Sequence, residues 1–126
     1  MAESSLRLFI DLVEGKPAPQ QAWGVAVTPL FTETLKRQRM VFRDLDDRLK
    51  KFVDFKLENP LTNRYGKHDR PFTGPLIGFS HCHLRDNAIL IYSLKNHTVN
   101  LIAVVSHSEI EGKRVKSILQ QLIPYR

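Results

Sequence analysis

The sequence is poor in the features that mark disulfide-stabilised, secreted and membrane proteins. Cys82 is its one cysteine, so no internal disulfide can form, and a lone cysteine among apolar neighbours is typical of a reducing cytoplasm. No apolar run approaches the roughly 20 residues needed to span a bilayer. The first residues, MAESSLRLFIDLVEG, lack a basic segment and a cleavage site, so we expect no secretory signal. These absences predict a cytoplasmic protein without membrane contact.

Acidic residues are also in deficit. The 126 residues include 19 Lys and Arg against 13 Asp and Glu, which gives a net charge of +6. The length suits one domain with a single hydrophobic core, and a hydrophobic fraction of 42% is normal for a globular protein. A small basic domain often binds nucleic acid, but a merely solvated surface has the same composition, and charge alone leaves both interpretations open.

Apolar spacing predicts helices in the first half of the chain. An N-terminal helix and a proline-containing linker, KPAPQQ, form an extension over residues 1–20. The helix is predicted from apolar residues at positions i, i+3, i+4 and i+7: Leu6, Phe9, Ile10 and Val13. A short Val-rich strand, WGVAVTP, follows. Two helices, LFTETLKRQRMVF and RDLDDRLKKFVDFKLENP, then form a helical hairpin, with Thr28 or Thr32 as a cap of the first and with charges on the outer face of the second.

The second half predicts a loop, three strands and a last helix. Residues 61–75 contain two prolines and two glycines and form the loop. LIGFSHCHL, NAILIYSL and VNLIAVVSH are strands whose short connections, RD and KNHT, allow only antiparallel neighbours. Residues 109–126 form a C-terminal helix. We therefore expect residues 1–126 to form a single two-layer α+β domain, an antiparallel sheet with the hairpin on one face. The other face is exposed or meets a partner.

Strand alternation places several histidines on shared faces. His81 and His83 lie on one face of the first of these strands, together with Phe79. In the third strand, every second residue lies on one face: Val99, Leu101, Ala103, Val105 and His107. In a meander, His83 and His107 come close if the register brings the ends of their strands together.

Three interpretations of His81 and His83 remain open from the residues alone. They are ordinary half-buried strand residues, two ligands of a zinc site that needs a third, or groups that exchange protons near neutral pH. The zinc site lacks support from an Asp/Glu–His spacing or a cysteine pair. Proton exchange suits imidazole, whose ordinary pKa is near 6.5.

The chain resembles the RelE/ParE superfamily of bacterial toxins, and most closely its YafQ-like branch. The resemblance is carried by the loop DRPFTGPLIGF, the strand pair HCHLRDNAILIYSL and the strand end VVSHSEI, in that order after a helical hairpin. It covers roughly residues 23–112 and leaves out the N-terminal helix. It implies a RelE-like α+β fold.

The resemblance also implies a function and partners. Many members are ribosome-dependent endoribonucleases that cleave mRNA by attack of the RNA's own 2′-hydroxyl, leaving a 2′,3′-cyclic phosphate, without a metal or other cofactor. A cognate antitoxin holds such a toxin inactive, so the implied partners are an antitoxin, the ribosome and mRNA. Two alternatives stay open, a ParE-like gyrase-inhibiting toxin and a catalytically inactive relative that binds nucleic acid or a protein partner.

Site residues are carried over by position. His83 and His107 match the two strand histidines and are the implied acid and base. The other implied catalytic residues are Asp86, and His68 in place of the loop histidine. The implied phosphate-binding residues are Lys67, Arg70 and Arg85. The sequence departs from the family pattern at three positions, where an acidic residue and two aromatic residues are replaced by Asn87, Ala88 and Glu111.

Overall fold

The computed structural model describes residues 23–59 and 69–126, which form a five-stranded sheet between helical layers. The strands are β1 (Gly24–Val27), β2 (Arg70–Pro71), β3 (Ser80–Arg85), β4 (Ala88–Lys95) and β5 (Thr98–Val105), in the spatial order β1-β5-β4-β3-β2. The predicted antiparallel meander is confirmed in β3, β4 and β5, and β2 extends it. Strand β1 pairs parallel to β5, and the chain between them is long enough for the crossover that a parallel pair requires. The predicted N-terminal extension lies outside the described residues.

The helical hairpin covers one face of the sheet. It consists of α1 (Pro29–Arg39) and α2 (Leu45–Glu58). Thr28 caps α1, because its Oγ1 accepts a hydrogen bond from the backbone N–H of Phe31 at 3.0 Å. Each helix buries an apolar stripe against β3, β4 and β5; the stripe comprises Phe31, Leu35, Leu45 and Phe52.

The opposite face of the sheet is covered by the chain itself, whereas the sequence had suggested that it is exposed or meets a partner. Helix α3 (Val115–Leu122) packs on it and buries Ile118 and Leu122 against Ile89, Ile91 and other residues of the central strands. The final segment is also not one continuous helix. Gly112 has a positive φ of 56°, and 3-10 turns at His107–Ile110 and Gly112–Arg114 precede α3. None of the described helices is long and apolar enough to cross a bilayer.

An irregularity between β4 and β5 corrects the predicted faces of the third strand. Ile91 pairs with Ala103, but the next residue, Tyr92, pairs with Leu101, so Ile102 is the extra residue of a bulge. Because a bulge reverses the alternation, Leu101 faces the hairpin, whereas Ala103 faces α3. Strict alternation had put them on one face.

A buried polar network ties α2 to the sheet and to the start of β2. Lys56 Nζ lies 2.7 Å from Asp69 Oδ2, and both side chains are 0% exposed. Tyr92 donates its hydroxyl hydrogen to the other oxygen of Asp69. Burial, with hydrogen bonding to Asp69, raises the pKa of Tyr92, and burial raises the pKa of the nearby Cys82 thiol to about 12. The expectation that all charged residues of this helix face solvent is therefore wrong for Lys56.

Candidate active site

Two histidines meet on the α3 side of the sheet. His83 of β3 pairs with Ile89, and Ile89 pairs with Val105 at the end of β5. His107 lies two residues after Val105, at the start of a 3-10 turn, and is therefore close to these paired residues. The centres of the His83 and His107 rings lie 4.9 Å apart, with their planes at 85°. The sequence-based expectation that these two residues come close is thus confirmed as geometry, and both side chains remain partly exposed.

Two residues that the sequence marked only as departures lie against His107: Asn87 and Glu111. The backbone N–H of His107 donates to Asn87 Oδ1 at 2.9 Å, which fixes the turn after β5 to the turn after β3. Glu111 Oε1 lies 3.7 Å from His107 Nδ1. At this distance the carboxylate can attract a protonated imidazole, but it is beyond hydrogen-bond range. The i, i+4 spacing of His107 and Glu111 was the one signal in the sequence for this contact.

His81 has a different environment. Its ring stacks on Phe72 with centres 4.3 Å apart and planes at 28°, and it lies 6.0 Å from the ring of His83. This packing fits an ordinary, half-buried strand histidine. Of the two histidines of HCH, His83 is therefore the one in contact with a second catalytic candidate.

Arg70 is the predicted cation that the strand register places on the same face of the sheet as His81 and His83. It pairs with His81 across β2 and β3, and paired residues of antiparallel strands project to the same face. Its side chain is exposed. The preceding residue, Asp69, forms the buried ion pair with Lys56, and this contact constrains the position of the backbone at Arg70.

Arg85 lies instead on the hairpin side. A register shift between His83 and Arg85 turns its side chain towards the α1–α2 connection, where Nη1 lies 2.7 Å from Asp44 Oδ1 and the guanidinium stacks over Phe42 at 5.0 Å. Arg48 binds the other oxygen of Asp44 at 2.7 Å. Hydrogen bonds from Arg48 and then Arg85 lower the pKa of Asp44 to about 2, so Arg85 already has an ionised partner.

Of the remaining predicted site residues, the structure describes only Asp86, and it does not bring this residue to the histidine pair. Asp86 is exposed in the two-residue turn between β3 and β4, and its neighbour Asn87 is the one that contacts His107. Lys67 and His68 lie outside the described residues. Within residues 23–59 and 69–126, no group of three or more His, Cys, Asp or Glu side chains is arranged to hold a metal ion.

The arrangement is suited to proton transfer. Two imidazoles in contact can serve as a base and an acid near neutral pH, and an arginine on the same face can stabilise an anion between them.

Known proteins share both the sequence pattern and the fold. A family model described as a bacterial toxin of a type II toxin–antitoxin system, YafQ, matches residues 25–112. Among curated proteins, none matches this chain. A structure of a metal-bound toxin from Helicobacter pylori is 32% identical, with a TM-score of 0.56, and the match covers 71% of this chain and 99% of that one. The Escherichia coli DinJ–YafQ toxin–antitoxin complex contains a chain that is 20% identical, with a TM-score of 0.60 and coverage of 72% and 99%. A YoeB–YefM toxin–antitoxin complex from Staphylococcus aureus has a chain at 10% identity, a TM-score of 0.53 and coverage of 68% and 97%.

Proposed function

The chain belongs to the YafQ family of bacterial toxins of type II toxin–antitoxin systems, and from this premise we propose that it is a ribosome-dependent endoribonuclease that cleaves mRNA with His83 and His107 as base and acid. The observation that carries the proposal is the contact between these two rings, whose centres lie 4.9 Å apart. A binding module without catalysis has no need of two partly exposed imidazoles in contact.

The reaction follows from the chemistry of these groups. One imidazole takes the proton of the RNA 2′-hydroxyl, and the oxygen attacks the adjacent phosphorus. The bond from phosphorus to the 5′-oxygen breaks, and the second imidazole, protonated, gives its proton to that oxygen. The products are a 2′,3′-cyclic phosphate and a free 5′-hydroxyl. All electrons and protons are accounted for by the two histidines and the substrate.

A cation is needed where negative charge builds up on phosphorus oxygens. Arg70 is the described candidate, because it projects from β2 to the histidine face, and a guanidinium binds two phosphate oxygens at once. Arg85 is the weaker candidate, because its side chain lies on the hairpin side of the sheet against Asp44 and Phe42. Lys67, His68 and Asp86 keep the roles proposed from the family resemblance.

The proposed partners are the ribosome, mRNA and a cognate antitoxin. A net charge of +6 favours association with ribosomal and messenger RNA. The E. coli YafQ and S. aureus YoeB structures contain antitoxins, and a similar chain needs a similar restraint if it cleaves mRNA in the cell that makes it. The proposed location is the cytoplasm, where ribosomes translate.

An in vitro translation reaction with mapping of mRNA 5′ ends tests the proposal. Wild-type protein is expected to create new ends only when ribosomes are present. His83→Ala and His107→Ala should each reduce cleavage by about 10²–10⁴-fold, the usual contribution of an acid–base step. His97→Asn is the matched control, because His97 lies in the β4–β5 turn with a positive φ of 56° that asparagine tolerates.

Two results would contradict the proposal. Cleavage by a folded His83→Ala/His107→Ala variant at the wild-type rate would remove the histidine mechanism. Arrest of growth without new mRNA ends, accompanied by inhibition of gyrase, would instead support the alternative that the toxin acts in the ParE manner.

A further inference from the structure

A cavity of ≈ 250 Å³ lies between the C-terminal part of α1 and helix α3. Its lining is rich in charged and polar groups: Arg37, Glu109, Arg114, Ser117, Ile118 and Gln121. Pockets that enclose small molecules usually measure roughly 300–1,000 Å³ and are mostly apolar. This smaller, polar cavity suits a phosphate and its sugar better than an enclosed apolar ligand.

The cavity borders the candidate active site. Glu109 belongs to the 3-10 turn that starts at His107, so the turn carries a catalytic candidate at one end and lines the cavity further along. Arg114 Nη1 donates to Ser108 Oγ, the residue after His107, at 3.4 Å. The cavity therefore adjoins the turn that carries His107.

The charges of the cavity favour an anion. Two guanidiniums, of Arg37 and Arg114, face one carboxylate, that of Glu109. Glu109 Oε2 already accepts a hydrogen bond from the backbone N–H of Ser106 at 3.1 Å. Among the described residues, neither arginine forms an ion pair. Arginine pairs are well suited to phosphate, because each planar guanidinium can donate two parallel hydrogen bonds.

The family match does not account for this cavity. The match ends at residue 112, and four of the lining residues lie beyond it, in Arg114 and helix α3: Arg114, Ser117, Ile118 and Gln121. The cavity is thus built on the segment of this chain that extends past the matched region.

We propose that the cavity is a second phosphate-binding subsite, which holds the backbone of the same single-stranded RNA at a nucleotide beyond the cleaved bond. The proposal rests on the proposed endoribonuclease function and adds a contact to it. Arg37 and Arg114 bind the phosphate oxygens, while Ser117 and Gln121 supply neutral hydrogen-bonding groups. Helix α3, which covers the second face of the sheet, thereby also extends the RNA-binding surface.

Binding of short RNA of two lengths tests this subsite. The probes are a dinucleotide and an octanucleotide with a fluorescent label and with 2′-O-methyl groups that block cleavage. Arg37→Ala/Arg114→Ala is compared with Lys50→Ala/Lys51→Ala, a control that removes the same charge from exposed residues of α2, which does not line the cavity. Fluorescence anisotropy across a series of salt concentrations gives Kd and its salt dependence.

The arginine variant is expected to bind the octanucleotide roughly tenfold more weakly, equivalent to about 1.4 kcal/mol. The slope of log K against log salt should fall by about 0.7, since the one phosphate contact that is lost contributes about 0.7 for a single strand. Dinucleotide binding should be unchanged, because a dinucleotide that occupies the histidines does not reach the cavity. The lysine control should change neither slope nor length dependence.

Several results would overturn the subsite. Two concern the variants: the arginine and lysine variants weaken RNA binding equally, or the arginine variant loses the same affinity for the dinucleotide as for the octanucleotide. Two concern the ligand: the wild-type protein does not bind the octanucleotide, or the arginines are needed to bind an acidic polypeptide but not RNA. Failure of the proposed function is distinguishable. If wild-type protein shows the length-dependent contact but leaves mRNA intact on ribosomes, the subsite stands and the nuclease function falls. If wild-type protein cleaves mRNA on ribosomes and the arginine variant shows no length-dependent loss of binding, the nuclease function stands and the subsite falls.

Discussion

The buried ion pair of Lys56 and Asp69 gives the largest predicted effect on stability. Both side chains are 0% exposed and their charged atoms lie 2.7 Å apart. Lys56→Met keeps the apolar stem but leaves the carboxylate of Asp69 buried without its cation. Removal of one partner of such a pair costs about 3–5 kcal/mol, a large part of the roughly 5–15 kcal/mol that stabilises a domain. Urea denaturation followed by the fluorescence of Trp23, the only tryptophan, measures the free energy of unfolding.

Two comparison variants isolate burial as the cause. Arg39 and Asp46 also lie 2.7 Å apart, but their side chains are 52% and 60% exposed, so Arg39→Ala is expected to cost about 1 kcal/mol or less. The triple variant Lys56→Met/Asp69→Leu/Tyr92→Phe removes the cation, the carboxylate and the hydroxyl together and should recover part of the lost stability, because no buried charge is left without its partner. If Lys56→Met unfolds at the same urea concentration as Arg39→Ala, the assignment of stability to the buried pair is wrong.

Three smaller predictions concern other parts of the chain. The Cys82 thiol, with a pKa raised to about 12 by burial, should resist iodoacetamide at pH 8 in the folded protein and react once urea unfolds it. Asp44, whose pKa is lowered to about 2, adds stability that is present above its ordinary pKa of 3.8 and is lost as the pH falls towards 2, so Asp44→Asn should flatten the decline of stability between these values in acid titrations. Asn87→Ala removes the acceptor for the backbone N–H of His107 and should lower mRNA cleavage while the thermal midpoint changes little; an unchanged cleavage rate would argue against this contact as a positioning device.

The hairpin and the meander were predictable because their signals are local. Apolar spacing defines each helix, and the two-residue connection between β3 and β4 allows only an antiparallel pair. The faces of β5 were not predictable, since the bulge at Ile102 depends on how β4 and β5 pair rather than on either strand alone. The packing of α3 on the second face was missed for a similar reason. Its apolar stripe was visible, but nothing in the sequence says which surface the stripe covers.

The candidate site was predicted in outline. The approach of His83 and His107 follows from strand order and from the positions of both residues near strand ends. The ion-pair partners of the charged residues could not be predicted from the sequence. Arg85 binds Asp44, which is 41 residues earlier in the chain. Lys56 is buried against Asp69, and the pattern of apolar and charged residues along the helix does not predict which charged side chain finds a buried partner.

Cleavage of ribosome-bound mRNA that carries a single 2′-deoxynucleotide at the cut position tests the central claim most directly. In single-turnover reactions, wild-type protein is expected to cut the all-ribose message and to leave the 2′-deoxy message intact at that position, since no attacking oxygen is present. His83→Ala and His107→Ala should each slow the cut of the all-ribose message by about 10²–10⁴-fold and leave the end chemistry unchanged. Equal rates on the two messages, or wild-type rates for both folded histidine variants, would contradict the account.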